Sequence, residues 1–222
     1  SVFINSSVPG TVTFNAPIIL ATGPNPEGIK IIDLNSDGKQ DIVVTNTINY
    51  FSVFLNTSTS SVLTLAPRVD VPLSSIVTYP RGIYGADFDG DGKTDLATAD
   101  NNKLIDFSNN TGFGTVSISR NNGIAGSLSF EPSVSYTTGE YPRSVFAADL
   151  DGDMKPDLAV SNHITAAINL FLNNSTPGTI NFSPQTALTI GGRGEQINIA
   201  DIDGDGKNDI LASVLFGGGG VH

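Results

Sequence analysis

The chain alternates short apolar runs with polar turns along its whole length. The first complete set of such runs covers residues 28–34, 41–45, 52–56 and 62–71, in which Val, Ile, Leu and Phe alternate with polar residues or form short β-branched stretches. Alternation with a period of two, bounded by Gly, Pro, Asn and Ser, is typical of β-strands joined by tight turns. We therefore predict four short strands, A to D, in this part of the chain.

This set of strands recurs along the sequence. A nine-residue acidic segment follows each strand A, and its first aspartate returns at intervals of 54, 62 and 52 residues. A unit of this length with about four short strands is typical of a β-propeller blade. We predict an all-β fold: one β-propeller domain over residues 1–222, with four-stranded antiparallel blades and repeats of about 1–51, 52–104, 105–168 and 169–222. About ten extra residues in the third repeat are placed around residues 113–127, as a longer hairpin.

Each acidic segment presents oxygen-bearing side chains at its first, third, fifth and ninth positions. Ca²⁺ takes six to eight oxygen ligands, and a short loop turned by glycine directs alternate side chains at one centre. The backbone carbonyl of the seventh residue, a lysine in every segment, would add a ligand. The predicted metal ligands are Asp33, Asn35, Asp37, Lys39 and Asp41; Asp87, Asp89, Asp91, Lys93 and Asp95; Asp149, Asp151, Asp153, Lys155 and Asp157; and Asp201, Asp203, Asp205, Lys207 and Asp209.

The negative charge of the chain is concentrated in these segments. They hold 15 of the 22 acidic residues and only four of the 11 basic ones, so they account for the whole net charge of −11 and the rest of the chain is neutral. Turn formation alone explains one Asp-Gly cluster, but not four with an aspartate always at the ninth position. A β-strand rather than a helix follows each loop, unlike in an EF-hand. We predict about four Ca²⁺ ions, one per loop, in a structural role.

The third acidic loop differs from the others at its sixth position. Met154 stands where Gly38, Gly92 and Gly206 permit a left-handed backbone, and a side chain there costs ~1 kcal/mol. We expect this loop to bind its ion more weakly or to be slightly distorted.

The loops and their flanking strands resemble FG-GAP (VCBS-type) repeats. The resemblance rests on the Asp-x-Asp-x-Asp-Gly-x-x-Asp pattern set between an alternating strand and runs such as Asp41-Ile-Val-Val and Asp157-Leu-Ala-Val, and it covers essentially the whole chain. It implies an integrin α-chain-like β-propeller with calcium held in the loops between strands A and B. Members of this family serve in adhesion, in ligand binding, as lectins and as platforms attached to enzymes.

Propellers of that family usually have seven blades, whereas four units are present here. A Phe-x-Asn pattern marks strand C, and the chain ends where the last unit would reach it. We therefore expect the N-terminal strands to complete the last blade of a closed four-bladed ring. The alternative is a fragment of a seven-bladed propeller, with residues 217–220 as a flexible tail or turn. The pattern occurs at Phe3/Asn5, Phe54/Asn56, Phe107/Asn109 and Phe171/Asn173.

A second set of positions lies six residues before each acidic loop. It contains Glu27, Arg81, Arg143 and Glu195, and Tyr79 and Tyr141 lie nearby. Because strand A is the innermost strand of a blade, these side chains are predicted to ring one mouth of the central channel. Arg81, Arg143, Tyr79 and Tyr141 would then bind an anionic or sugar ligand. The alternative is a set of ion pairs between neighbouring blades.

Other features of the sequence narrow the classes of function. The acidic net charge argues against nucleic acid, no apolar stretch approaches the ~20 residues of a membrane span, and cysteine is absent. His163 and His222 are not near a repeated nucleophile, and the Ser-rich turns do not resemble nucleophile elbows. Asn-x-Ser/Thr sequons fall just after strand C, where asparagine is also a common turn residue. They begin at Asn5, Asn56, Asn109, Asn173 and Asn174.

Two hypotheses of function follow from these observations. The first is a non-enzymatic, calcium-binding adhesion module for a protein or carbohydrate ligand. The second is a polysaccharide-active enzyme of lyase type, or its accessory propeller. Loops with the ordinary extracellular affinity, a Kd of ~10⁻⁴ to 10⁻³ M, would fill only outside the cell, so we expect a secreted or cell-surface protein.

Overall fold

The computed structural model describes residues 1–47, 49–59, 62–73, 78–102 and 113–216. Its elements are all β-strands. The first blade comprises β1 (Pro26–Ile32), β2 (Asp41–Asn46), β3 (Tyr50–Phe54) and β4 (Val69–Pro72), and the second β5 (Thr78–Ala86), β6 (Asp95–Asn102), β7 (Phe113–Ser119) and β8 (Val134–Glu140). The third comprises β9 (Pro142–Ala148), β10 (Asp157–Asn162), β11 (Ala167–Asn173), β12 (Phe182–Pro184) and β13 (Leu188–Thr189), and the fourth β14 (Arg193–Ala200) and β15 (Asp209–Leu215).

Every sheet is antiparallel and follows the order of the chain. The first two sheets have four strands each, and in the third both β12 and β13 pair with β11, which makes them one interrupted outer strand. This confirms the predicted all-β fold with four-stranded antiparallel blades. The first three sheets each take strands from two of the repeats defined on the sequence, because those repeats were divided close to the start of strand C. None of the described segments forms a helix that could cross a membrane.

The core lies between successive sheets rather than inside one. One apolar cluster joins the first and second blades around Phe51 and Leu96, a second joins the second and third blades around Val116 and Leu158, and a third joins the last two. Strands β2 and β10 are buried at every position because both of their faces are covered. Neighbouring blades cover β10, whereas the second blade and the N-terminal residues cover β2. The sheets therefore stand side by side as the blades of a propeller do.

The innermost strands β1, β5, β9 and β14 pack against one another in that order. Two glycines permit this close approach. A Cβ atom on Gly82 would lie 2.8 Å from the carbonyl oxygen of Arg143, and one on Gly28 would collide with the carbonyl oxygen of Arg81. At these two positions the absence of a side chain sets the distance between the inner strands.

The N-terminal residues form a hairpin with isolated bridges, Val2 to Ile18 and Asn5 to Phe14. This hairpin packs on the first blade through Val2 and Leu20. In the described part of the chain β14 and β15 form a two-stranded sheet, without the expected pairing between β15 and the N-terminal strands. One face of β1 is also uncovered in the described part of the chain, since its residue Ile29 is 65% exposed. The number of blades in a complete ring stays a prediction.

Two expectations for single strands were wrong. Strand D of the first blade covers only β4, and residues 62–68 before it contribute a single bridge, Asn56 to Leu65. The longer hairpin expected over residues 113–127 is instead the regular strand β7 followed by a turn. The extra length of this blade falls on the connection before β7, residues 103–112, which lie outside the described residues.

Candidate metal sites

The four acidic segments form the hairpin loops that join β1 to β2, β5 to β6, β9 to β10 and β14 to β15. In each loop the first aspartate accepts a hydrogen bond from the backbone N–H of the sixth residue, at 2.8–2.9 Å. The sixth residue has a positive φ in all four loops, 82° at Gly38 and 68° at Met154. This turn wraps the backbone around the first carboxylate.

The ninth residue closes each loop. One carboxylate oxygen of Asp95 accepts the backbone N–H of Phe88, at 3.0 Å, and the other that of Asn121, at 2.7 Å. Asp41 and Asp157 make the equivalent pairs of bonds. All three are buried, whereas Asp209 of the last loop is exposed. The carboxylates are therefore held at the base of the loop before any ion binds.

In three loops the first, third and ninth aspartates place carboxylate oxygens within 4.8 Å of one another. The first loop has Asn35 at its third position, so its set there contains an amide oxygen instead of a third acid. The acids at the fifth position are not members of these groups. They accept the backbone N–H of the lysine at the seventh position, as Asp91 does from Lys93 at 3.0 Å. The groups are Asp87, Asp89 and Asp95; Asp149, Asp151 and Asp157; and Asp201, Asp203 and Asp209.

The crowded carboxylates affect one another electrostatically. Burial, aided by the negative charges of Asp89 and Asp91, raises the pKa of Asp95 to about 7 against the effect of its two backbone hydrogen bonds. Burial also raises the pKa of Asp41 and Asp157. A cation among these oxygens would remove the repulsion. The donor set of carboxylate and amide oxygens suits a hard cation such as Ca²⁺.

The second loop is in contact with a basic side chain, Arg120, that was not predicted from the sequence. Arg120 donates to Asp89 and Asp91 of the loop and to Glu131, the last two at 2.8 Å. Burial raises the pKa of Asp89, but the hydrogen bond and charge of Arg120, together with backbone hydrogen bonds from Gly178 and Asp91, outweigh it and leave that pKa lowered. Leucine occupies the equivalent position before Asn56 and Asn173. A single base immediately after strand C is the only signal of this contact in the sequence.

An asparagine after the third strand links neighbouring blades. The side-chain amide of Asn121 donates to the carbonyl oxygen of Leu34 in the preceding loop, at 2.7 Å, and that of Asn173 donates to Phe88, at 2.9 Å. The sequence placed the Phe-x-Asn pattern that marks strand C of the second blade at Phe107 and Asn109, which lie outside the described part of the chain. The third strand of this blade is β7, and Asn121 follows it at the position that Asn173 has in the third blade.

The predicted mouth of the channel is built from ion pairs. Arg81 lies 3.1 Å from Glu27 of the preceding blade, and Arg143 lies 3.0 Å from Glu195 of the following one. This agrees with the alternative of pairs between neighbouring blades. Tyr141 has a φ of 60°, an unusual conformation for an aromatic residue, and its hydroxyl accepts a hydrogen bond from Arg81 at 2.8 Å.

Tyr141 and His163 lie next to these ion pairs. Both guanidinium groups face the ring of Tyr141, at 4.8 Å for Arg81 and 5.4 Å for Arg143. His163 Nδ1 lies 2.6 Å from a carboxylate oxygen of Glu195. Tyr79 is in β5, opposite Asn101 of β6.

Comparison with known proteins adds a family and a structural likeness. The chain is similar in structure to the crystal structure of rhamnogalacturonan lyase YesW, with 16% sequence identity and a TM-score of 0.48. The alignment covers 84% of this chain but only 40% of that enzyme, so the chain spans less than half of its length. No curated protein matches the sequence. The model of the FG-GAP-like repeat matches residues 33–98, 99–160 and 155–212. Since these matches cover most of the sequence, the chain belongs to the family of FG-GAP-like repeats.

Proposed function

We propose that this chain is a calcium-stabilised propeller module that binds a protein or glycan ligand outside the cell and does not itself catalyse a reaction. The observation that carries the proposal is the set of preorganised acidic loops, in three of which carboxylate oxygens converge within 4.8 Å. Their first and ninth aspartates would ligate Ca²⁺ directly, and the third position would add an acid or, in the first loop, the Asn35 amide.

The energetic role of the ion follows from mass action. A site with a Kd of ~10⁻⁴ M in ~1–2 mM calcium adds about 1.4–1.8 kcal/mol to the free energy of unfolding. Several such sites together are comparable with the whole stability of a domain, ~5–15 kcal/mol. A site of this affinity would remain empty at cytosolic calcium levels, which supports an extracellular location.

The arrangement at the mouth supports binding more than catalysis. A polysaccharide lyase would need a base in a cleft, and the candidates from the sequence are Arg81, Arg143, Tyr79 and Tyr141. The two arginines are held by Glu27 and Glu195, so neither is poised to take a proton. The lyase alternative therefore has no particular contact in its favour.

Two measurements test the proposal. Thermal unfolding followed by circular dichroism should show a melting temperature at least ~10 °C higher in millimolar calcium than in excess chelator. An unchanged melting temperature would contradict the calcium role. A glycan array and a pull-down, each run in calcium and in chelator, then test ligand binding. A lyase assay on any glycan that binds tests the alternative, since new unsaturated ends would show an enzyme.

A further inference from the structure

An open cavity of about 390 Å³ lies among the four innermost strands, β1, β5, β9 and β14. It is lined by residues of the four inner strands that lie three to six positions before each acidic loop, so it faces the middle of these strands and not the acidic loops. Ligand pockets commonly measure roughly 300–1,000 Å³. The size of this cavity therefore suits a small ligand such as one or two sugar rings.

Two aromatic rings form an apolar part of the cavity wall. Tyr84 of β5 and Phe146 of β9 lie with their ring centroids 4.4 Å apart and are both partly exposed. They come from neighbouring blades at the same position in the repeat. Aromatic side chains of this kind give a sugar ring an apolar surface together with a polar edge.

Lys30 stands next to this aromatic pair. Its ammonium nitrogen lies 4.0 Å from the centroid of the Tyr84 ring, and burial lowers its pKa. Among the described residues no carboxylate lies within ion-pair distance of it, whereas Lys39, Lys93 and Lys207 each pair with an aspartate. A partly buried ammonium group without a counter-charge favours the binding of an anion.

The charge around the cavity has the opposite sign to that of the whole chain. Lys30, Arg81 and Arg143 face Glu27 within the wall, and Glu195 pairs with Arg143 at its edge. The group retains a positive excess, although the chain as a whole carries −11. The cavity is thus a local site of attraction for a negative ligand.

We propose that this cavity binds an acidic sugar, with the sugar ring against Tyr84 and Phe146 and its anionic group paired with Lys30. The proposal rests on the ligand-binding function proposed above and names the class of ligand. The anionic group is a carboxylate or a sulfate, since both have the charge and the acceptor oxygens that an ammonium group requires.

Calorimetric titration in millimolar calcium tests the inference with three probes of similar length. These are an oligogalacturonate, a sulfated galactan oligosaccharide and a neutral galactan oligosaccharide. At least one acidic probe should bind, and the neutral one should bind at least about tenfold more weakly. The affinity for the acidic probe should fall as salt is added. Comparison of the two acidic probes identifies the anionic group.

Variants locate the site. Lys30→Met should weaken the acidic probe at least about tenfold, and Lys30→Arg should retain most of the affinity because it keeps the charge. Arg68→Gln is the matched control: it removes one positive charge from an ion pair with Asp70 on an outer strand, away from the cavity. It should leave binding unchanged. Melting temperatures of all three variants verify that they are folded.

Three results would overturn the inference: equal binding of the neutral probe, absence of binding by either acidic probe, or undiminished binding by Lys30→Met. The last result is the one expected if the acidic sugar were instead bridged by calcium in the loops. The proposed function fails separately, through loss of the calcium-dependent shift in melting temperature. A protein that keeps the calcium-dependent shift in melting temperature but does not bind acidic sugars would refute only the site inferred here.

Discussion

Asp100 is a fully buried carboxyl group in β6 of the second sheet. Its replacement by asparagine should stabilise the protein by an amount that depends on pH. It lies five residues after the last aspartate of its loop, where the first and third blades have Asn46 and Asn162. Neither oxygen of Asp100 makes a hydrogen bond of good geometry with the described residues, although the hydroxyls of Ser117 and Thr98 lie nearby. Burial raises its pKa to about 7, although the hydroxyls of Ser117 and Thr98 act to lower it.

The size of the effect follows from this pKa. The folded state keeps a proton that the unfolded state releases above pH 3.8, so the contribution of Asp100 to stability falls between about pH 4 and 7. At 1.36 kcal/mol per pKa unit, the penalty above pH 7 is on the order of 4 kcal/mol. An amide carries no charge at any of these pH values. It can also donate, as Asn46 does to the carbonyl of Val44 and to the hydroxyl of Ser52.

Urea unfolding of the wild-type protein and Asp100→Asn at several pH values, all at the same calcium concentration, measures the difference. The two proteins should have nearly equal stability near pH 4, and the variant should gain steadily until about pH 8. The loops titrate in both proteins, so their contribution cancels in the comparison. A variant that is less stable than the wild type at pH 8, or a gain that does not change with pH, would refute the reasoning.

Three further substitutions have definite expected outcomes. Asn121→Ala should lower the free energy of unfolding by about 1–3 kcal/mol because it leaves a buried carbonyl unpaired. Asn56→Ala should cost less than about 1 kcal/mol in the same urea titration, because the amide nitrogen of Asn56 donates to an exposed carbonyl in its own blade. Arg120→Met should destabilise the calcium-free protein by about 3 kcal/mol and the calcium-loaded protein by much less, since an ion can replace the lost charge; equal losses in chelator and in calcium would argue against this. Met154→Gly should raise stability by about 1 kcal/mol and tighten calcium binding by its loop, and a calcium titration without any gain in affinity would count against the strain assigned to that position.

The parts of the fold that depend on local sequence could be predicted. The predicted strand B of the first blade, residues 41–45, differs from β2 by one residue, because a β-branched run directly after a polar loop has few alternatives. The hairpin position of the loops follows from the same locality. The ion pairs of Arg81 and Arg143 could also be anticipated, since the repeat places residues of opposite charge at one level of neighbouring blades.

The parts of the fold that depend on contacts between residues far apart in the sequence could not be predicted. Asn56 starts a turn by accepting the N–H of Ser58, and this turn ends the pairing that strand D was expected to continue. In the second blade ten residues separate β6 from β7, so the distance in sequence from the acidic loop does not locate strand C. Phe107 and Asn109 match the Phe-x-Asn pattern in sequence, but Asn121 makes the contact with the preceding loop. The partnership of Arg120 with the loop spans about thirty residues of sequence, and a repeat alignment does not reveal it.

The close packing at Gly28 and Gly82 has a geometric consequence for the assembly. These two residues lie where the inner strands are nearest, so they set the angle by which each sheet turns relative to the next. A methyl group at Gly82 would meet the carbonyl of Arg143 and push its strand outward, which would reduce the angle between neighbouring sheets. Sheets that turn by a smaller angle are needed in larger number to complete a circle. Glycine at this position of the first two blades therefore acts on the circumference of the whole ring, far beyond the two strands it separates.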